Sequence, residues 1–131
     1  MWSRGVAHRV SDWPALVAEI GGAPCGLLAY RPAPPECAIL VIDAEPRHQG
    51  IGSALIAAVV EAAKTAGCAR LWLVTTNDNV DALRFYQRRG FALAAVHRGQ
   101  IDEARKHKPS IPRDGRYGIP IRDEIELERL L

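Results

Sequence analysis

The stretch from residue 38 to residue 66, AILVIDAEPRHQGIGSALIAAVVEAAKTA, constrains the fold more than any other part of the sequence. Residues 38–42 are all apolar and predict a buried strand, which leads into a glycine-containing loop at residues 47–52. Beyond the loop, the apolar residues recur every three or four positions and predict a helix with one buried face. These residues are Ile51, Leu55, Val59, Ala62 and Ala66. Gly67 is placed to end this helix in a left-handed conformation.

A strand that runs through a glycine loop into a helix forms a site for an anion. Backbone N–H groups without helical partners converge there, the helix dipole adds partial positive charge, and glycine lets a phosphate approach the main chain. A P-loop requires a lysine after its last glycine, but Ser53 follows Gly52 directly. A dinucleotide-binding fingerprint requires a third glycine, and Leu55 occupies that position. The loop therefore predicts a phosphate site of another kind.

Composition predicts one globular domain over residues 1–131, because 48% of the chain is hydrophobic and 24% is charged. A net charge of +2 is too small to indicate nucleic acid, and no apolar run approaches the roughly 20 residues of a membrane span. The three cysteines are odd in number and scattered, as are the four histidines, so neither disulfides nor a metal site is expected. Unpaired cysteines are typical of a reducing compartment, which favours a cytoplasmic location.

The first third of the chain predicts an antiparallel meander. Residues 2–10 fit an edge strand, and residues 16–20 fit a second strand. Gly21 and Gly22 then predict a tight hairpin turn, with residues 25–30 as the partner strand. Three prolines are expected to interrupt the chain before the central strand: Pro32, Pro34 and Pro35.

The second half predicts a crossover followed by further strands. Residues 69–76 form a dense apolar run that fits a strand parallel to the central one, because a helix connects them. Asn79 is suited to cap a helix over residues 80–89, and Gly90 to end it. Residues 91–96 fit the next strand.

Two later segments carry most of the charge. The basic run over residues 97–108 fits a solvated face or a short helix, or else a basic rim that attracts acidic or phosphate groups. Residues 121–128 alternate apolar and charged side chains, which predicts a half-buried final strand with an acidic outer face.

Two patterns identify a family. Residues 47–52 read R-x-x-G-x-G, and residues 79–91 read N-x-x-A-x-x-x-Y-x-x-x-G-F, with a predicted strand between them. In this order and spacing they resemble the GNAT superfamily of N-acetyltransferases, over about residues 36–98. The resemblance implies an α/β (α+β) fold with a mixed, mostly antiparallel sheet flanked by helices. Only a turn at residues 11–14 is available where the family usually places N-terminal helices, so those helices are expected to be shortened or absent.

The resemblance implies direct transfer of an acetyl group from acetyl-CoA to a small-molecule or peptide amine. A main-chain N–H near Ile42 or Asp43 would face the thioester oxygen, the loop's N–H groups would hold the pyrophosphate, and Asn79 would bind the pantetheine arm. The residues expected at the coenzyme are Ile42, Arg47, His48, Gln49, Gly50, Ile51, Gly52, Ser53, Asn79 and Tyr86.

For the proton transfers, family practice makes Tyr86 the general acid, since a phenol with a pKa near 10 is protonated at neutral pH. Glu36 and Asp43 lie at the ends of the central strand and are the candidate bases, with Glu45 a weaker third. All three carboxylates equally fit an exposed surface.

Structural interpretations stay open for the other residues as well. Gly50 and Gly52 fit an ordinary turn into a helix, Asn79 fits a simple N-cap, and Tyr86 fits core packing. The alternative function is a module that binds acetyl- or acyl-CoA without turnover, as a sensor or a subunit. Because the missing helices would leave part of the sheet uncovered, we expect a homodimer.

Overall fold

The computed structural model of the chain describes residues 2–3, 6–7, 13–44 and 50–131. In chain order the elements are β1 Trp2–Ser3, β2 Val6–Ala7, β3 Ala15–Ile20, β4 Ala23–Ala33, β5 Glu36–Ala44, α1 Ile51–Thr65, β6 Arg70–Thr76, α2 Val80–Gln87, β7 Ala92–His97, α3 Gln100–His107 and β8 Glu124–Leu130. Six of the strands lie in one mostly antiparallel sheet of order β3-β4-β5-β6-β8-β7, and the two shortest strands, β1 and β2, pair with each other. The mixed α/β fold predicted from the sequence is confirmed.

The described residues fall into two compact units. The first unit holds residues 13–44 and 50–72 together with 130–131, and the second holds residues 2–3, 6–7 and 73–129. Strand β6 contributes residues to both units. The single edge strand predicted for residues 2–10 is replaced in the second unit by the short pair β1 and β2, and its remaining residues lie outside the described part of the chain.

In the first unit, β3 and β4 form the predicted hairpin. Gly21 and Gly22 have φ angles of 58° and 81°, the left-handed pair that a tight type I′ turn requires. The prediction that Pro32 interrupts the chain is wrong, because β4 continues through it to Ala33. The paired part of β3 begins at Ala15, opposite Ala29, so Pro32 lies beyond it and no β3 acceptor needs the N–H that proline lacks.

The predicted crossover unit is also confirmed. Strand β5 pairs in parallel with β6 from Glu36 opposite Arg70 to Ala38 opposite Trp72, and α1 connects the two strands. Gly67, with φ of 84°, ends α1 in a Schellman motif: its N–H donates to the Lys64 carbonyl and the Cys68 N–H to the Ala63 carbonyl.

The buried face of α1 differs from the prediction in its last turns. The pattern placed Ala62 and Ala66 in the core, but Ala66 is exposed and Ala63 is fully buried. The buried face includes the bulkier residues Ile56 and Val60, which the predicted pattern left out. The face is therefore rotated about the helix axis toward these residues.

Gly26 on β4 lets α1 approach the sheet closely. A Cβ at this position would lie 2.7 Å from Ile51 Cγ2 and 3.1 Å from Leu55 Cδ1, both in the first turns of α1. These distances leave no room for a side chain at position 26. Glycine therefore allows the start of α1 to lie this close to β4.

In the second unit, α2 ends at Gln87 and the chain turns at Gly90, which has the predicted left-handed φ of 87°. The Phe91 N–H donates to the Tyr86 carbonyl across this turn. The basic run after β7 forms the short helix α3, which is one of its predicted interpretations. Arg105 is not part of a basic rim, however, because its guanidinium donates to the carbonyls of Ile111, Pro112 and Ile121.

The prediction of an acidic outer face on β8 is wrong. Glu124 and Glu126 are only 4% and 6% exposed, and Leu127 on the opposite face is fully buried. The Glu126 carboxylate lies 3.1 Å from His97 Nε2 on the neighbouring strand β7. The alternation of apolar and charged residues identified the two faces of β8 correctly. It did not show that both faces are covered, as they are in this strand between β6 and β7.

Candidate functional site

Helix α1 begins without a side-chain cap. Its N-cap residue Gly50 is exposed, has φ of 73°, and makes no side-chain hydrogen bond to the helix. The first intrahelical bond runs from the Ala54 N–H to the Gly50 carbonyl at 3.0 Å, so the Ile51 and Gly52 N–H groups precede the helical pattern. The first turn contains no acidic residue. This helix start therefore has the geometry and charge that favour an anion.

The remaining loop residues stay predictions. Arg47, His48 and Gln49 lie outside the described residues, as does Glu45. Gly52 and Ser53 follow Ile51 as the second and third residues of α1. The structure thus places Gly50, Ile51, Gly52 and Ser53 together at the helix start, as the sequence indicated.

Strand β5 contains a bulge near its candidate residues. Val41 lies opposite Ala29 and Ile39 opposite Tyr30, so Leu40 has no partner on β4. A bulge of this type bends the strand and leaves backbone groups outside the regular ladder, which is common beside binding sites. Ile42 follows two residues later and is half-buried, and exposed Asp43 comes next. The bulge therefore lies where a main-chain N–H was expected to serve the thioester oxygen.

The two candidate bases are not brought together. Glu36 begins β5 and Asp43 lies near its other end, a separation of roughly 20 Å at the usual rise of a strand. The Glu36 carboxylate is 3.3 Å from Arg70 Nη1, and the Arg70 guanidinium lies over the Trp72 ring. These contacts favour a structural role for Glu36. Asp43 lies toward the end of β5 that leads to the loop.

Asn79 caps α2, as predicted. Its Oδ1 accepts the Ala82 N–H at 3.3 Å, and its Nδ2 donates to Thr75 Oγ1 at 3.1 Å. Both polar groups of the side chain are therefore used within the second unit. The cap interpretation is confirmed, and a role at the pantetheine arm stays a prediction.

Tyr86 is a buried phenol on α2. It is 6% exposed and packs edge-to-face with Phe85 and Phe91, at ring-centroid distances of 5.1 and 5.4 Å. Burial raises the pKa of Tyr86 to about 12, and its hydroxyl has no hydrogen bond within the described residues. The phenol is therefore protonated at neutral pH and retains a proton to donate, which satisfies both the packing and the acid interpretations.

Sequence reasoning missed Asp78, which is 3% exposed just before α2. Its Oδ2 accepts the Arg116 N–H at 3.0 Å, and Gly115 lies so close that a side chain there would overlap the carboxylate. Burial alone would raise the pKa of Asp78, but the Thr76 hydroxyl and the Arg116 N–H bond the anion and hold the pKa below its usual value. No local pattern signals this contact, because the partner lies 38 residues along the chain.

Residues 108–123, which we call the strap, are therefore fixed although they contain no strand. Asn77 accepts the Arg122 and Asp123 N–H groups and donates to the Pro120 carbonyl. The Tyr117 hydroxyl bonds the Asp81 carboxylate at 2.8 and 2.9 Å, from a left-handed backbone that is unusual for tyrosine. The strap is thus attached to the start of α2 at several points.

Other types of site find little support in the described residues. Within them, no group of three or more His, Cys, Asp or Glu side chains is arranged to hold a metal ion, and no helix is long and apolar enough to cross a membrane. Cys25, Cys37 and Cys68 are free, and burial raises the pKa of Cys37 to about 12, which leaves its thiol unreactive.

Comparison with known proteins agrees with these features. The model of the Acetyltransferase (GNAT) family matches residues 1–91, and the chain belongs to this family. The resemblance seen in the sequence is confirmed. The chain is also 43% identical over 106 residues to the uncharacterized protein YdhI of Bacillus subtilis, covering 81% of this chain and 66% of that protein. It spans about two thirds of the length of the curated relatives it matches first.

Solved structures share the fold. An IAA acetyltransferase from Bacillus cereus aligns with a TM-score of 0.75 at 28% identity, covering 89% of this chain and 77% of that one. A GNAT family acetyltransferase from Elizabethkingia anophelis with acetyl-CoA bound aligns with a TM-score of 0.80 at 22% identity, covering 92% and 78%.

Proposed function

We propose that this protein transfers an acetyl group from acetyl-CoA to the nitrogen of a small-molecule or peptide amine. The observation that carries the proposal is the start of α1, where Gly50, the first glycine of the R-x-x-G-x-G sequence, leaves backbone N–H groups uncapped. A pyrophosphate is the anion that suits such a helix start. Family membership and the acetyl-CoA in a structural neighbour support this choice of ligand.

Backbone N–H groups and polar side chains hold the coenzyme. In the first unit, the N–H groups of residues 48–53 bind the pyrophosphate, with a charge-assisted contact from Arg47. A main-chain N–H near Ile42, beside the β5 bulge, faces the thioester oxygen and stabilises the charge that develops there. In the second unit, Asn79 contacts the pantetheine arm.

The reaction is a direct attack. The acceptor nitrogen bonds to the acetyl carbonyl carbon, the carbon–sulfur bond breaks, and the thiolate leaves with the electron pair. Asp43 accepts the proton that the amine loses, through water, since an exposed carboxylate at that end of β5 is better placed than ion-paired Glu36. Tyr86 donates a proton to the thiolate.

One observation favours a second candidate, a module that binds acyl-CoA without turnover. The Tyr86 ring packs between Phe85 and Phe91 and is almost fully buried, as a purely structural tyrosine would be. In that case, the phenol supplies packing alone and no residue protonates the thiolate.

The substitution Tyr86→Phe separates the two candidates. It keeps the ring, so the melting temperature and the affinity for acetyl-CoA should change little, whereas turnover should fall by about 10²-fold, the usual scale for one general acid. Tyr117→Phe, which removes an exposed hydroxyl, is the matched control and should retain turnover. Full turnover in Tyr86→Phe would show that Tyr86 is not the acid. Tight coenzyme binding by the wild type without transfer to any amine would favour the binding module.

The pH dependence of stability tests the burial of the phenol. The pKa of Tyr86 is raised from about 10 in the unfolded chain to about 12 in the folded chain. Its contribution to the free energy of unfolding is therefore complete below pH 10 and is lost as the pH rises toward 12. Denaturation measured across this pH range should show that the free energy of unfolding declines more steeply for the wild type than for Tyr86→Phe. Parallel curves would show that the phenol is open to solvent.

We also infer a homodimer in the cytoplasm. Val17 on β3 and Leu27 opposite it on β4 are 55% and 38% exposed, and Ile20 is 50% exposed, so the first unit carries an apolar surface at its strand edge. The free cysteines are consistent with a reducing compartment. Light scattering at micromolar concentration should report a dimer that Val17→Lys dissociates, and a monomeric wild type would contradict the inference.

A further inference from the structure

A cleft of about 530 Å³ opens in the second unit, between β7, α3 and the end of the strap. It is lined by Arg98, Gly99, Asp102, Arg122 and Asp123. Two arginines and two aspartates give it no net formal charge. The kind of ligand it suits therefore depends on which of these groups already have partners.

Both carboxylates of the cleft already accept hydrogen bonds from other groups of the protein. Asp123 Oδ1 accepts the Gly99 N–H at 2.9 Å, and its Oδ2 accepts Arg122 Nε at 3.2 Å. Asp102 Oδ1 accepts Arg105 Nη1 at 2.7 Å, from the same guanidinium that holds the strap carbonyls. The acceptors of the cleft thus have donors from the protein itself.

The two arginine side chains of the cleft have unused hydrogen-bond donors. Arg98 is exposed and makes no hydrogen bond or ion pair with any described residue. Arg122 is 62% exposed, and among the described residues only its Nε is bonded, which leaves both terminal nitrogens for a ligand. A guanidinium presents paired N–H groups in a planar fork that matches a carboxylate. The unused hydrogen-bonding capacity of the cleft therefore suits an anion.

The backbones that carry these arginines are fixed. The Arg122 N–H donates to Asn77 Oδ1 at 3.0 Å, and its carbonyl accepts the Ile101 N–H at 3.0 Å. Arg98 immediately precedes Gly99, whose N–H is held by Asp123. Only the side chains themselves need to be ordered when a ligand binds, which keeps the entropy cost low.

The cleft lies close to a residue of the proposed acetyl transfer. Asn77, which holds Arg122, is two residues from Asn79, a span of at most about 7 Å of chain. The backbone that carries Arg122 therefore lies in the same part of the second unit as the start of α2.

We propose that the Arg98–Arg122 cleft binds the carboxylate of the amine acceptor. The acceptor is then a molecule that carries both an amine and a carboxylate, such as a free amino acid or the end of a short peptide. This inference rests on the proposed function, because it assigns a substrate class to that reaction.

The test compares acceptors that differ only in the carboxylate. Phenylalanine is paired with phenylalaninamide, and glycyl-phenylalanine with its amide, as acceptors for the wild type, Arg98→Ala, Arg122→Ala and the double variant. The double variant should raise KM for the acids by about 10- to 100-fold, the range for losing charged hydrogen bonds, and leave KM for the amides unchanged. The two pairs distinguish amino acids from peptides. Arg88→Ala, which removes an exposed arginine outside the cleft, is the control.

Two results would overturn the proposal. An equal rise in KM for acids and amides would exclude a carboxylate site, and a rise in KM for acetyl-CoA alone would assign the cleft to a coenzyme phosphate. If no acceptor reacts, the proposed function fails, and NMR titration of the same compounds still tests the cleft. Wild-type binding of the acids that the double variant loses would support the site, and absence of such binding would overturn it.

Discussion

The two principal helices of this protein start in opposite ways. Helix α1 begins at Gly50, with no capping side chain and no acidic residue in its first turn. Helix α2 begins at Asn79, whose side chain caps the Ala82 N–H, and carries Asp81 in its first turn. The strap adds a further contact to α2, from the Tyr117 hydroxyl to Asp81.

The difference indicates which helix start is kept for a ligand. The positive end of a helix dipole is stabilised by negative charge, which α2 obtains from its own side chains and α1 does not. A Ser, Asn or Asp at the N-cap usually stabilises a helix by roughly a few tenths of a kcal/mol more than a glycine does. Leaving that stabilisation unused is reasonable if an anionic ligand supplies it.

The largest expected effect comes from obstructing the open start. Gly52→Val places a branched side chain beside the uncapped N–H groups and should weaken coenzyme binding by well over tenfold, about 1.4 kcal/mol or more. The fold should persist, because valine is no worse than glycine inside a helix. Calorimetry measures the affinity, and Ala58→Val, on an exposed part of α1, is the control. Unchanged affinity in a folded Gly52→Val would remove the start of α1 from the site.

A smaller effect is expected at the closed start. Asn79→Ala should lower the free energy of unfolding by about 1 kcal/mol, because the Ala82 N–H loses its acceptor. Since both polar groups of Asn79 are used within the chain, coenzyme affinity should fall by less than in Gly52→Val. Urea denaturation and calorimetry measure the two quantities. Asn79→Ser should restore the cap, so a serine variant that is stable but binds coenzyme poorly would show direct contact between Asn79 and the ligand.

The smallest effect is expected where the strap meets α2. Tyr117→Phe removes the hydroxyl bonded to Asp81 but retains the ring, and because the pair is exposed the loss should be about 0.5 kcal/mol. Asp81→Asn keeps an acceptor for the same hydroxyl and should cost less still. Urea denaturation would contradict this estimate if Tyr117→Phe lost more than about 2 kcal/mol, since the hydroxyl would then be essential for holding the strap.

Local sequence patterns predicted the elements that depend on local physics. The apolar run of β5, the periodicity of α1 up to Val59 and the glycines at positions 67 and 90 each act over a few residues, and the structure confirms them. The helix start with Gly50 and the Asn79 cap belong to the same class. The two family patterns, residues 47–52 and 79–91, lie at or near these elements, which is why the fold could be predicted from one sequence.

The failures at β8, Arg105 and Asp78 involve partners that are distant along the chain. Glu124 and Glu126 are buried by neighbours that alternation does not identify, and Arg105 binds strap carbonyls as far away as Ile121. Asp78 pairs with Arg116 in the same manner. For the candidate site, sequence located the helix start and Tyr86 but not the Arg98–Arg122 cleft, because the cleft exists only once the strap is attached to Asn77.

The close approach at Gly26 also limits how the sequence can change over time. Because a Cβ at position 26 would lie 2.7 Å from Ile51 Cγ2, alanine is tolerated there only if residue 51 becomes smaller or α1 moves outward. Outward movement would displace the helix start that carries Gly50 and Gly52. Positions 26 and 51 are thus expected to covary, with a smaller residue at 51 compensating for a side chain at 26. A substitution of Gly26 is then expected to follow a substitution of Ile51 by a smaller residue.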